Sequence, residues 1–401
     1  MRILLLNQFF SPDSAATSQL LTDLACGLVA NGHSVRVICG RSSYAPSGCA
    51  DPPAVQIVRT PALRFSRGLV ARLISYASYL CGALLYGLTG PRPDVILTLT
   101  TPPALSVIGS FLKRLFHAQH FIWEMDIYPD IAVDLDVLRP NFWITHLLGF
   151  AFDRARYNAD GIIVLGTCMR ERLIRRGVPG ASIHIAENWA DGKEIQPVPF
   201  PPNIPLRILY SGNLGLAHDV DTIRAAIHLF KTDCRFLFDF SGAGPQRNAM
   251  ESSCRGYENV SFSGYKPRQA LSSVFGACHV GLVTQKAVTL GSVVPSKTYG
   301  LMAAGRPILY IGPREATPAR IIERFRCGWQ VDPGDHEGLV GLLERLSAEP
   351  NLVSQAGARG RIAFEQNYDL PIGVARVASI IGALKPELVG GGATGARKVR
   401  G

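Results

Sequence analysis

Arg2-Ile3-Leu4-Leu5-Leu6, followed by polar Asn7-Gln8-Phe9-Phe10-Ser11-Pro12, opens the chain and decides how the rest is read. The apolar run is long enough for a buried parallel strand and too short for a helix. It is also too short for the core of a secretory leader, so none is expected. From Thr17 to Ala30 the leucines Leu20, Leu21, Leu24 and Leu28 recur at helical spacing, Asn31-Gly32 is a stop signal, and Ser34–Cys39 is a second strand. Strand, loop, helix, strand is a βαβ opening. Strand-like runs at Val55–Arg59, Val95–Leu99, Gln119–Trp123 and Gly161–Leu165 continue the alternation, which predicts a parallel sheet covered by helices on both faces.

The Pro-rich stretch Val198–Pro205 fits neither a helix nor a central strand and reads as an interdomain linker. The pattern then restarts, with strands at Arg207–Tyr210, Arg235–Ser241, Val280–Val283 and Pro307–Ile311, and helices at Asp219–Phe230 and Lys297–Ala304. The expected fold class is α/β, with two Rossmann-like doubly wound domains at 1–195 and 206–370. The Gly-rich, basic tail 386–401 is expected to be disordered. With 401 residues, 47% of them hydrophobic and 18% charged, two buried cores are affordable.

A net charge of +10 admits nucleic acid, an anionic membrane or phosphorylated substrates as partners. No zinc finger and no basic face interleaved with stacking aromatics is present, which disfavours nucleic acid. The nine cysteines are scattered singly, without a CxxC pair, as reduced thiols of a cytoplasmic protein would be. Leu73–Leu88 carries no charge and follows Arg64, Arg67 and Arg72. As a helix it spans roughly 24 Å, short of the ~30 Å hydrocarbon core. Two readings stay open for it: a buried helix, or a helix dipping into one leaflet with the arginines on anionic head groups.

Open parallel sheets bind ligands beyond the carboxyl ends of their strands. The first such loop, Asn7–Ala16, has no glycine, which disfavours a dinucleotide. Small Ser14, Ala15 and Ala16 at the helix start still leave room for a ligand group. The second half offers Ser211-Gly212-Asn213-Leu214-Gly215, then Ser241-Gly242-Ala243-Gly244-Pro245, then Val293-Val294-Pro295-Ser296-Lys297 before a helix. Pro295 forces Val294 to be extended, Ser296 is placed to cap the helix, and the first-turn N–H groups with Lys297 and Lys286 suit a diphosphate.

Together these strings resemble the large retaining glycosyltransferase family 4, which has the GT-B fold. The quoted likenesses are Asn7–Pro12, the Trp123–Pro129 string, Glu187-Asn188-Trp189, Leu209–Gly215 and Val294–Pro307. They are most similar to the branch holding colanic acid and amino-sugar transferases of surface polysaccharide assembly. The resemblance implies two domains facing across a cleft, the donor against the second and the acceptor against the first, with a last helix at 371–385 packing back on the first. It implies a nucleotide-sugar co-substrate, a UDP-sugar, with no further cofactor and no essential metal. It places Gly212, Asn213, Gly242, Lys286, Pro295, Ser296 and Lys297 around the donor, and Asp126 near the reaction centre. Two glutamates common in the family, the second of which holds the ribose, are replaced here by Ser292 and Gly300. Glu315 is a substitute candidate for the ribose.

The implied chemistry is displacement at the sugar's anomeric carbon, hexosyl or N-acetylhexosaminyl, with the leaving diphosphate met by Lys286, Lys297 and helix amides. Asp126 is the first choice of base and Glu124 the second, although an Asp-x-x-Pro carboxylate also serves loops structurally. His218 reads as a phosphate contact or an idle surface residue, and Glu187–Trp189 as an interdomain hinge. The acceptor is expected to be a glycan or lipid-linked sugar at the inner face of the cytoplasmic membrane, with peripheral contact through Arg64–Leu88. The rival readings are a GT-B sugar-nucleotide epimerase and a non-catalytic partner in a polysaccharide assembly complex.

Overall fold

Buried apolar strands that alternate with amphipathic helices cannot hide both faces except as a helix-covered parallel sheet, and the chain builds two. The structure, a computed structural model, describes residues 1–13, 15–41, 51–61 and 69–383. The first sheet comprises β1 (Arg2–Leu6), β2 (Ser34–Cys39), β3 (Gln56–Arg59), β4 (Val95–Thr98), β5 (Gln119–Glu124), β6 (Gly161–Val164) and β7 (Ile183–Ile185), in the order β3-β2-β1-β4-β5-β6-β7. Its helices are α1 (Ala16–Ala30), α2 (Leu69–Leu88), α3 (Leu105–Phe116), α4 (Asp130–Asp134), α5 (Trp143–Asn158) and α6 (Thr167–Arg175). The second sheet comprises β8 (Leu206–Ser211), β9 (Phe236–Ser241), β10 (Val260–Ser263), β11 (Val280–Thr284), β12 (Ile308–Ile311) and β13 (Gly328–Val331), in the order β10-β9-β8-β11-β12-β13. Around it lie α7 (Asp221–Leu229), α8 (Arg247–Ser253), α9 (Leu271–Gly276), α10 (Lys297–Ala303), α11 (Thr317–Phe325), α12 (His336–Ala348) and α13 (Pro350–Asn367), and α14 (Leu370–Ile380) follows.

All sheet pairings are parallel. Both sheets reverse direction beside their first strand, β1 next to β4 and β8 next to β11, which opens a crevice at the carboxyl ends there. The strands that periodicity did not reveal, β7, β10 and β13, are all sheet edges. An edge strand is covered less, so its sequence need not be continuously apolar. Among the described residues every cysteine is a free thiol, and no helix is long and apolar enough to cross a membrane.

The domains are tied by two neighbouring chain crossings. Ala190 pairs with Asp369, and its N–H donates to the Tyr368 carbonyl at 3.2 Å. Beside this, Trp189 stacks on Trp123 with ring centroids 5.6 Å apart and donates Nε1–H to Asp23 at 3.1 Å. Glu187 pairs with Arg376 at 2.8 Å. Helix α14 lies against α1, and its Val374, Val377 and Ala378 belong to the first domain's core. The Val198–Pro205 stretch, expected to span the domains, lies instead on the second one. There the buried Arg306 donates to the carbonyls of Val198 and Pro199 at 3.0 and 3.1 Å and sits 4.0 Å over the Phe200 ring. The expected disordered tail lies outside the described residues.

Trp189 is therefore the buttress between the crossing and α14, whose Gly373 lies directly against its ring. Trp189→Ala is expected to cost about 3–5 kcal/mol in chemical denaturation and to expose Arg376 in α14 to trypsin. An unchanged denaturation midpoint and digestion pattern would refute that role.

Candidate functional site

The crevice of the second domain is shaped by two glycines. Gly212 leaves β8 with φ 131° and Gly242 leaves β9 with φ 137°, a backbone region that favours glycine. A Cβ on Gly242 would fall 2.0 Å from the Gly212 carbonyl oxygen, and one on Gly212 would fall 2.8 Å from Cε of Lys297. The two turns are laced together by Gly212 N–H to Ser241 O at 2.8 Å and Leu214 N–H to Ala243 O at 2.7 Å. The missing side chains thus let Lys297, from the start of α10, lie over the Gly212 turn. Asn213 is exposed, and its carbonyl accepts from the Tyr210 hydroxyl at 2.7 Å.

His218 completes this arrangement. Its Nδ1 lies 2.7 Å from the Thr284 carbonyl, so Nδ1 carries the proton and Nε2 is left as an acceptor. Nε2 lies 3.3 Å from the Lys297 ammonium, which also sits 4.9 Å over the Tyr210 ring. Burial, with the Lys297 charge beside it, pushes the His218 imidazole down to about 3. Burial alone lowers the Lys297 ammonium to about 8. Among the described residues neither Lys297 nor Lys286 has a carboxylate partner. Lys286 is placed by its own N–H, which donates to the Ala217 carbonyl at 2.8 Å. A desolvated cation without a counter-ion, over a turn no side chain occupies, is a site for an anion. His218 is half-buried, and its position beside Lys297 depends on a long-range fold contact that local sequence does not carry.

Ser296, expected to cap α10, makes no capping bond and already has helical angles. Pro295 instead accepts from the Thr298 hydroxyl at 3.4 Å. With seven residues, α10 contributes only a small dipole, so the charge of the site resides mainly in the lysine.

Asp126 is brought here from the other domain. It forms an isolated antiparallel bridge with Val293, and Ile127 N–H donates to the Ser292 carbonyl at 2.8 Å. Arg172 adds a bond from Nη1 to the Leu290 carbonyl at 3.0 Å. The loop carrying Asp126 is thereby fastened just ahead of Pro295-Ser296-Lys297. Burial, followed by the charge of Glu124, raises the Asp126 carboxyl to about 6. Its side chain makes no hydrogen bond or ion pair among the described residues, while its N–H donates to Thr100 Oγ1 at 3.4 Å. Glu124 differs in kind. It is buried and accepts from Arg156 Nε at 2.7 Å, and the same guanidinium donates to the Tyr128 carbonyl at 2.8 Å. Arg156 therefore clamps both ends of the Glu124–Tyr128 segment and leaves Asp126 as its free carboxyl.

Other expected positions lie elsewhere. Ala15 and Ala16 start α1 without a side-chain cap, and Ser14 falls outside the described residues. Ser292 is fully buried and donates Oγ–H to the Thr289 carbonyl at 3.0 Å, so it serves the turn that meets Asp126's loop. A Cβ on Gly300 would touch the Phe275 ring at 3.4 Å and Ile195 at 3.8 Å, an apolar surrounding. Glu315 follows β12 and is exposed. Among the described residues no group of three or more His, Cys, Asp or Glu could hold a metal ion.

Residues 17–189 match the model of the glycosyl transferase 4-like domain. The chain is 30% identical over 313 residues to the probable glycosyltransferase WbjE of Pseudomonas aeruginosa, covering 74% of this chain and 76% of that one. It is 25% identical over 382 residues to the putative colanic acid biosynthesis glycosyl transferase WcaI of Escherichia coli (strain K12), covering 86% and 92%. Among solved structures it is similar to HepE of Anabaena in complex with UDP, with TM-score 0.68, 13% identity and coverage of 96% and 100%. Two doubly wound parallel sheets, with the Asp126 loop of one domain bridged to Val293 just ahead of Lys297 in the other, accord with these relatives: the chain is a GT-B glycosyltransferase and belongs to glycosyltransferase family 4.

Proposed function

We propose that this glycosyltransferase takes a hexosyl or N-acetylhexosaminyl group from a UDP-sugar and passes it, with retention, to a hydroxyl of a lipid-linked glycan during surface polysaccharide assembly. The observation that carries the donor half is Lys297, desolvated and without a carboxylate over the Gly212–Gly242 turn. UDP in the HepE complex and colanic acid biosynthesis in the name of WcaI support the donor and the pathway class.

In this reading the bond from the anomeric carbon to the UDP oxygen breaks, and the departing diphosphate keeps the electron pair. Lys297 and Lys286 meet that charge from preset positions, so no reorganisation is needed as it develops. The acceptor oxygen bonds the anomeric carbon and its proton passes to Asp126, whose carboxyl has no other partner among the described residues. Glu124 holds the loop through Arg156 and takes no proton. The donor is the co-substrate, and neither a cofactor nor a metal is required, which activity in EDTA tests. The ribose is left to groups other than a side chain at position 300. The site of action is the inner face of the cytoplasmic membrane, with peripheral contact along α2. Arg64 and Arg67, expected to join that contact, lie outside the described residues.

The epimerase reading differs in its products. UDP-sugar alone is expected to remain one sugar nucleotide with this protein, and release of UDP is expected to require an acceptor lipid. Conversion to a second sugar nucleotide would refute transfer. A thermal-shift panel of nucleotide sugars identifies the donor.

Two pH effects follow. Below about 8 Lys297 is an ammonium and above it a neutral amine, so UDP affinity is expected to fall as pH rises through that value. Lys297→Ala removes a charge-assisted contact worth about 1.5–3 kcal/mol, a loss of roughly 10- to 100-fold in calorimetric Kd at neutral pH. Asp126 must be ionised to accept a proton, so kcat is expected to rise with pH through about 6. Asp126→Asn is expected to lower kcat by about 10²–10⁴ with donor KM little changed. A mutant with parental kcat would remove Asp126 from the reaction.

A further inference from the structure

Helices α2, α3 and α5 form the layer on one face of the first sheet, α2 packed on α3 and α3 on α5. Their inner sides are spent on the sheet: Tyr79 and Ala83 of α2 and Leu112 of α3 are buried in one core with β1, β2 and β4. Their outer sides are apolar as well. On α3, Val107, Phe111 and Leu115 recur every fourth residue, and Phe111 is 51% exposed. On α5, Trp143, Leu147 and Phe150 continue the pattern, with Trp143 65% and Phe150 72% exposed. Leu85 and Leu88 add the edge on α2. Residues four apart share a helix face, so these are ridges along adjacent helices, a surface that water does not favour.

Charge decides what covers it. Helices α2 and α3 contain no acidic residue, and the one in α5, Asp153, is held by Arg156 and Arg176. Exposed Arg114 and Arg154, on α3 and α5, have no ion pair among the described residues. An apolar face on helices that carry unpaired cations and, among the described residues, no free carboxylate complements anionic head groups over hydrocarbon. We propose that the outer face of α2, α3 and α5 docks this protein on an anionic lipid bilayer, lying on the surface without crossing it.

The proposal extends the membrane contact from α2 to a three-helix surface, and it rests on the peripheral-membrane part of the reading above and not on the donor chemistry. It also gives the docking a direction. α5 abuts the Asp126 loop, since Gly149 lies against Pro129, so the surface sets that loop beside the head groups, where a lipid-linked hydroxyl arrives.

The test is flotation of the full chain with vesicles of phosphatidylcholine alone or with about one-third phosphatidylglycerol. The expected result is co-flotation with the anionic vesicles, weakened by salt, and at least about a tenfold loss for the triple variant Phe111→Ser, Leu147→Ser, Phe150→Ser. The variant's UDP thermal shift should equal the parent's, which separates loss of docking from loss of fold or donor site. With the parent chain, lipids brominated in the acyl region should quench the Trp143 fluorescence component, identified by its loss in Trp143→Phe. Parent protein that stays below the anionic vesicles, or a Trp143 that bromolipid does not quench, overturns the proposal. So does a sedimentation dimer that the triple variant dissolves while vesicle binding is absent.

Discussion

The antiparallel contact between the Asp126 segment and Ser292–Val294 is the constraint on which the site depends. It is short, one bridge and one hydrogen bond of 2.8 Å, but it joins the loop leaving β5 of one domain to the loop entering α10 of the other. Of the ties between the domains, it is the one that sets the Asp126 loop against the segment leading to Lys297. The Ser292 carbonyl accepts from Ile127 N–H across the contact, and its hydroxyl donates to the Thr289 carbonyl within its own turn. The Arg156 clamp on Glu124 and Tyr128 keeps one side of the contact in shape, and Arg172 on the Leu290 carbonyl steadies the other.

Electrostatically the two sides are opposite cases of one effect. Burial makes the charged form of each group costly, raising Asp126 to about 6 and lowering Lys297 to about 8. Each group is therefore held near its transition at neutral pH, with no salt bridge among the described residues to quench it. Lys297 is aimed, not neutralised, by His218, whose tautomer is set by the Thr284 carbonyl. In the proposed function an incoming diphosphate supplies the counter-charge, so its binding and the lysine's protonation are expected to be coupled.

The α/β class and the central strands were legible because strands buried on both faces are continuously apolar and periodicity finds them. Edges β7, β10 and β13 were not, since their sequences meet no such demand. The glycine turns at Gly212 and Gly242 were readable as small residues after strands, but the reason for glycine, one turn's carbonyl against the other, needed two strands placed side by side. Glu124 could not be assigned from sequence, since its partner Arg156 stands 32 residues away. The two readings of His218 could not be separated for the same reason: Lys297 is 79 residues distant along the chain. The outward face of α3 and α5 escaped notice because apolar residues at helical spacing read as core until the inner side is seen to be filled already.

In the proposed function the donor's diphosphate is held by the Lys297 ammonium. That contact is tested most directly by the ¹⁵N resonance of the Lys297 side-chain amine, followed through a pH titration with and without UDP. A midpoint near 8 is expected in the free protein, with a clear upward displacement when UDP is bound. A midpoint that UDP leaves unmoved would contradict it.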